Sequence, residues 1–221
     1  MSLTLFYELL QASGETLYMV LISTLLTVLL GLPLGTLLFV TQTIKPHLVL
    51  STVIGSLINF SRSVPFIILL VAIIPFTRLV VGTSIGVHAA IVPLTLGAVF
   101  FFARLVHNIY QTLPVSLIEA GFAMGANTWQ MCWHILLPEA LSAIVQAITV
   151  TAITLVNYSA MAGTVGGGGL GDLAIRYGYQ QFNSTVMIIT VLLLVIIVQL
   201  IQFIGDYAAQ RFARLRGTFD V

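Results

Sequence analysis

Charge is what this chain has least of. Asp, Glu, Lys and Arg together make up 7% of its 221 residues, against about 25% in an average soluble domain. The eight Lys and Arg nearly cancel the seven Asp and Glu, leaving a net charge of +1. There is no basic patch, and nucleic acid is excluded as a partner on that ground. Cysteine is almost absent: Cys132 stands alone, so no intrachain disulfide can form and no thiolate metal cluster is suggested. The first twelve residues hold no Lys or Arg. Without a positive n-region no cleavable signal peptide is expected, and the first apolar run stays in the mature protein. The histidines are scattered, with no pair at i, i+4 on one face; His88, His107 and His134 read as structural. No Ser/His/Asp set, carboxylate pair or metal-ligand spacing appears, so no catalytic site and no metal site are expected.

Apolar sequence fills the space that charge leaves. Hydrophobic residues make up 59% of the chain, and the mean hydropathy is +1.10. So much apolar surface cannot be hidden in one water-soluble core, and the bilayer must serve as solvent. A helix needs about 20 apolar residues to cross some 30 Å of hydrocarbon. Five runs meet that length, at about residues 16–40, 53–75, 85–103, 140–162 and 186–204. His88 and Pro93 interrupt the third. The expected fold is an all-α membrane protein, a single five-helix domain over residues 1–221.

Positive residues orient the domain. Lys45, Arg104, Arg211, Arg214 and Arg216 fall on one side. The other has only Arg78 and Arg176, with Glu8, Glu15 and Asp172 nearby. The richer side is expected to be cytoplasmic, with the N-terminus outside and the C-terminus inside. That puts the long loop at about residues 112–138 in the cytoplasm.

This loop has its own local order. Thr112 is placed to cap a short helix with Pro114 in its first turn. Leu113, Leu117, Ala120 and Met124 then share one face. Gly125 suits a left-handed helix end, and Asn127 with Gln130 has the spacing of a capping box opening a second helix. Pro138 is expected to stop that helix. Amphipathicity alone leaves open a hairpin lying on the inner leaflet.

Inside the spans a few residues stand out. Gly31 and Gly35 flank Pro33 in the first run, where proline should bend the helix and the glycines admit a close neighbour. The fourth run carries a polar stripe of Ser142, Gln146, Thr149, Thr154, Asn157, Met161 and Thr164. Polar groups in hydrocarbon need partners or water, so the stripe faces either neighbouring helices or an aqueous pathway. Asn157, Tyr158 and Ser159 are the candidates for pathway lining. Arg62 is the only charge well inside a run, which is costly unless it meets a partner or cavity. It either attracts a passing carboxylate or snorkels toward the inner surface. The glycine-rich run from Gly163 to Gly171 lacks a lysine and follows no strand. It reads as an irregular outer turn, not a phosphate loop.

The loop contains Glu119-Ala120-Gly121, then Gly125, then Ile135-x-Leu137-Pro138. This closely resembles the loop of permease subunits of ATP-driven (ABC) importers, which reads Glu-Ala-Ala, Gly and Ile-x-Leu-Pro at the same spacing. Gly121 in place of the second alanine is the one departure. Phe60 to Leu70, Ile74 to Arg78, Val81 to Gly86, Ala90 to Thr95 and Leu155 to Gly171 further resemble the methionine ABC importer permeases, so the likeness extends over almost the entire chain. The resemblance implies a type I importer permease fold. In it the cytoplasmic loop couples to an ATPase through Glu119, Ala120, Gly121, Gly125, Ala126, Ile135, Leu137 and Pro138. It also implies a second copy of the chain, two cytoplasmic ATPase subunits carrying the ATP and Mg, and an outer substrate-binding lipoprotein. The setting is a bacterial inner membrane, and methionine in L and D forms is the expected cargo. Met161 is then a candidate gate across the dimer axis, unless it fills a gap between helices. Another amino acid or a phosphonate-like solute remains open as cargo. A stand-alone secondary transporter is disfavoured, because no Asp or Glu lies deep in the spans.

Overall fold

A computed structural model describes residues 3–214, the side chains of residues 3, 61 and 62 excepted. Among these residues every element is helical. Helix α1 (Leu3–Phe39) widens into a π turn (Val40–Ile44). Three shorter helices follow: α2 (Leu48–Ser63), α3 (Phe66–Ala72) and α4 (Ile74–Val81). Next come the long α5 (Val87–Gln111) and the short α6 (Val115–Ala123). One helical stretch then runs from α7 (Thr128–Gln130) through a π turn (Met131–Leu136) to α8 (Leu137–Glu139). The long α9 (Leu141–Gly163), a short α10 (Gly169–Leu173), a third π turn (Ala174–Gln180) and α11 (Ser184–Arg214) complete the chain.

Four of these helices are long and apolar enough to span a bilayer: Thr4–Ile44, Val87–Gln111, Leu141–Gly163 and Ser184–Arg214. The second expected span, over residues 53–75, is not a continuous helix. Val64 is extended at φ −86°, ψ 123° and Pro65 at φ −57°, ψ 134°. Pro65 disfavours helical backbone at the residue before it, and Ile73 breaks the helix again before Pro75. The expected bend at Pro33 does not end its helix: α1 runs through Pro33 to Phe39.

Glycine decides the central contact of the fold. A Cβ on Gly31 would lie 2.9 Å from the Phe102 ring, and one on Gly35 would meet the carbonyl oxygen of Ala103. Only hydrogen at these positions lets α1 lie directly on α5. In hydrocarbon, where apolar burial supplies little drive between helices, such close van der Waals contact holds helices together.

Buried side chains form a cluster toward each end of the bundle. One gathers Met19, Leu94, Leu155, Leu170 and Val186 from α1, α5, α9, α10 and α11. The other joins Phe39, Phe102 and Tyr110 at the later ends of α1 and α5 to Met131, Leu136 and Ile144. The loop hairpin thus shares a core with the spans. Displacing it must displace the helix ends packed around it.

Candidate coupling hairpin and pathway face

The loop folds as a helical hairpin whose turn is built from local hydrogen bonds. Pro114, not Thr112, caps α6, while the Thr112 hydroxyl bonds back to the Ile109 carbonyl at 2.7 Å and closes α5. Proline at position 114 sets Thr112 and Leu113 outside α6, so its start shifts by two residues. At the far end Gly125 has φ +84°. Its N–H donates to the Phe122 carbonyl at 2.9 Å, and the Ala126 N–H donates to the Gly121 carbonyl at 3.1 Å. This pair of bonds is the Schellman motif, which consumes helix-end carbonyls and requires a left-handed residue. The next helix opens on a complete capping box. The Gln130 N–H donates to Asn127 Oδ1 at 2.8 Å, and the Asn127 N–H donates to Gln130 Oε1 at 2.9 Å.

Pro138 does not stop this second helix. It sits at the start of α8, where a missing N–H costs least, and even Ala140, the junction to α9, keeps right-handed helical backbone at φ −81°, ψ −2°.

The departure from the resembled loop has a structural partner. Gly121 is buried, and a Cβ there would sit 2.5 Å from Met131 Cε and 2.8 Å from Ile135 Cδ1. Met131, itself fully buried, occupies the notch that an alanine methyl would partly fill. The two helices of the hairpin are therefore held closer than alanine would allow. The buried face runs through Ile118 and Gly121, whereas Ala120 and Met124 point outward. Glu119 is also exposed. Met124, Gly125, Ala126, Gln130, His134 and Ile135 line a shallow concavity on the hairpin. Leu137 and Pro138 are half-buried. Eight expected coupling residues thus fall into two sets: an exposed face around Glu119, Ala120 and Gly125, and a packed base at Gly121, Ile135 and Leu137.

The stripe on α9 divides between two surroundings. Ser142 donates to the Ala209 carbonyl of α11 at 3.0 Å. Thr149 bonds back to Val145 and packs against Gly205 of the same helix, where no Cβ would fit. Gln146, Val150, Asn157 and Met161 form a different face and are exposed, Met161 by 44%. Tyr158 is half-buried and stacks on Phe66 of α3, with centroids 4.1 Å apart and planes 3° from parallel. Ser159 departs from its expected place on the open face. It is buried and donates to the Val156 carbonyl at 2.8 Å, so position 159 faces into the packed bundle and not outward. The side chain of Arg62 lies outside the described residues.

One pair of positioning residues escaped the sequence. Glu15 Oε2 accepts from the Gly169 N–H, and Thr16 Oγ1 from the Leu170 N–H, each at 2.9 Å. Both donors open α10, whose N-terminal N–H groups lack intrahelical partners, and a carboxylate there also suits the helix dipole. The contact closes the glycine-rich turn onto α1. That turn is irregular, as expected, with φ +82° at Gly166 and +80° at Gly168. Nearby, Arg176 pairs with Asp172 at 2.8 Å. The Tyr177 hydroxyl hydrogen-bonds Glu8, which pushes its pKa above the usual phenol range. A glutamate inside a long apolar helix was the available clue. Its partner lies 154 residues away, beyond any local pattern. Among the histidines, His107 is buried with Nε2 2.9 Å from Gln42 Oε1, His88 lies 3.5 Å from the Tyr18 hydroxyl, and His134 is exposed in the hairpin's concavity.

Four helices long and apolar enough to cross a membrane, with a capped hairpin sharing their core, define an all-helical membrane-protein architecture. Residues 28–214 match the model of the binding-protein-dependent transport system inner membrane component family, and the chain belongs to that family. A probable D-methionine transport system permease protein of Vibrio cholerae is 51% identical over 205 residues, covering 92% of this chain and 91% of the relative. The D-methionine transport system permease protein of Escherichia coli K12 is 50% identical over 165 residues, 74% of this chain and 76% of that one. Among solved structures, a chain of the MetNI methionine ABC transporter in inward-facing conformation superposes with a TM-score of 0.94 at 49% identity. It covers 96% of this chain and 99% of that chain. An amino acid ABC transporter crystallised with histidines shares the fold, with a TM-score of 0.69 at 18% identity.

Proposed function

We propose that this chain is the permease subunit of an ATP-driven importer that carries methionine, in L and D forms, across the bacterial inner membrane. One observation carries the mechanical half of this reading: the hairpin from Val115 to Glu139 has an exposed face and a base that shares its core with α1 and α5. A cytoplasmic ATPase gripping the exposed face would move the spans through that core. The relatives at 51% and 49% identity, which are named for D-methionine and methionine transport, support the cargo.

In this reading two copies of the chain stand side by side over two ATPase subunits, which bind the ATP and Mg. A substrate-binding lipoprotein docks on the outer face. The N-terminus is outside and the C-terminus is cytoplasmic. The broken segment α2–α4 serves as the fifth crossing, its interruption covered by protein, as non-helical backbone at membrane depth requires. The exposed face of α9 at Asn157 and Met161 borders the pathway, with the half-buried Tyr158 beside it and Met161 as the gate across the dimer axis. Glu119, Ala120, Gly125 and Ala126 meet the ATPase, while Gly121, Ile135, Leu137 and Pro138 set the hairpin's angle. Selectivity rests mainly with the outer binding protein, because a free amino acid carries two opposite charges and tight burial would need partners for both. The deciding experiment is uptake of labelled methionine by the reconstituted complex, competed by other amino acids. Saturable, ATP-dependent uptake competed only by methionine is expected. Preferential competition by another solute would reassign the cargo and leave the machine intact.

A further inference from the structure

The final turns of α1 and the second helix of the hairpin leave an apolar groove between them of about 480 Å³. That size lies within the roughly 300–1,000 Å³ of built small-molecule sites. Pro33, Thr36 and Val40 form one wall, Cys132 and Trp133 the other, and Tyr110 the floor. Two features identify what fills it. Its mouth is continuous with the outer face of α1, where Leu25, Leu29, Leu30 and Leu37 are exposed along a helix long enough to span the bilayer. In a spanning helix that face meets acyl chains. Trp129 and Trp133 frame the groove one turn apart, with ring centroids 5.4 Å from each other, and both are exposed. Paired indoles of this kind settle at the headgroup level, one end apolar and the other wet.

We propose that this groove holds one acyl chain of an inner-leaflet phospholipid, with the Trp129–Trp133 pair framing the glycerol level. The hairpin then has two working faces: the Glu119 side for protein and the tryptophan side for lipid. A bound chain wedges α1 against the hairpin and stiffens the joint through which ATPase motion passes. Burial raises the pKa of the Cys132 thiol, consistent with an apolar lining. The inference rests on the cytoplasmic placement of the hairpin proposed above.

The test uses the complete transporter with its ATPase subunits. Native mass spectrometry after mild detergent extraction should show about one retained phospholipid per permease copy. Val40→Phe, which fills the groove, should lower that occupancy at least fivefold. The variant must still co-purify with the ATPase, so that lipid loss is not misfolding. In nanodiscs containing brominated phosphatidylcholine, indole emission should be quenched. Comparison with Trp129→Phe/Trp133→Phe isolates this chain's signal, since these are its two tryptophans. Occupancy unchanged by Val40→Phe would overturn the proposal. Indole emission from this chain that stays unquenched in the complete transporter would also overturn it and give the groove to protein. Failure of the coupling reading shows elsewhere, as normal import by hairpin variants with lipid retention untouched.

Discussion

Gly125 offers the sharpest test of the coupling hairpin. No atom lies within 4 Å of the point where its Cβ would stand, so a substitution there meets no steric clash. What it meets is the backbone: at φ +84°, an L-residue is disfavoured by roughly 1–2 kcal/mol, and asparagine by less. That strain amounts to a factor of about 5–30 between the native turn and a relaxed one. In a chain of this size each kcal/mol lowers Tm by about 2–4 °C. Gly125→Asn should therefore be nearly silent, Gly125→Ala intermediate and Gly125→Val the most damaging. Valine would give up the two Schellman bonds and re-aim α6 relative to α7, spoiling the fit to the ATPase. The turn lies outside the hydrocarbon, so membrane insertion should be unaffected. The assays are stimulated ATP hydrolysis and methionine uptake by the reconstituted complex, with co-purification of the ATPase as the measure of assembly. Hydrolysis and uptake should fall together in the order given. If Gly125→Val assembles fully and imports normally, the coupling assignment is wrong. If Gly125→Asn is as damaging as Gly125→Val, side-chain bulk at the contact matters and the backbone argument fails.

Four further outcomes are expected. Gly121→Ala should cost about 1–3 kcal/mol by overpacking against Met131, and adding Met131→Leu should restore part of it; a double-mutant cycle without coupling would separate the two residues. Glu119→Ala should lower stimulated ATP hydrolysis and uptake more mildly than Gly125→Val, because it removes one exposed contact and leaves the packed base intact. Met161→Ala should raise basal ATP hydrolysis or solute leak while costing less than the ~2–5 kcal/mol of truncating a buried methionine; a large stability loss with normal transport would return Met161 to the core. Glu15→Gln weakens the cap on α10 and should cost roughly 0.5–2 kcal/mol, read as a lower thermal midpoint; an unchanged midpoint would mean that Thr16 alone holds the turn.

What the sequence determined by itself was the local chemistry. Apolar composition placed the chain in a membrane, and spacing over a few residues located the left-handed Gly125 and the Asn127–Gln130 capping box. Such features are complete within one turn of helix, so neighbouring residues suffice to specify them. The same local reasoning misplaced Thr112, Pro138 and the continuous second span, because proline's effect depends on whether its position opens a helix or interrupts one. Only the tertiary structure decided which way each helix faces. In lipid a core-facing leucine and a bilayer-facing leucine look alike, so the rotation that buries Ser159 and exposes Asn157 is set by the helices packed around α9, not by pattern. Contacts over long separations were equally invisible: Gly35 on Ala103, Met131 in the Gly121 notch, and Glu15 on the start of α10 each join segments whose meeting depends on how the whole bundle packs.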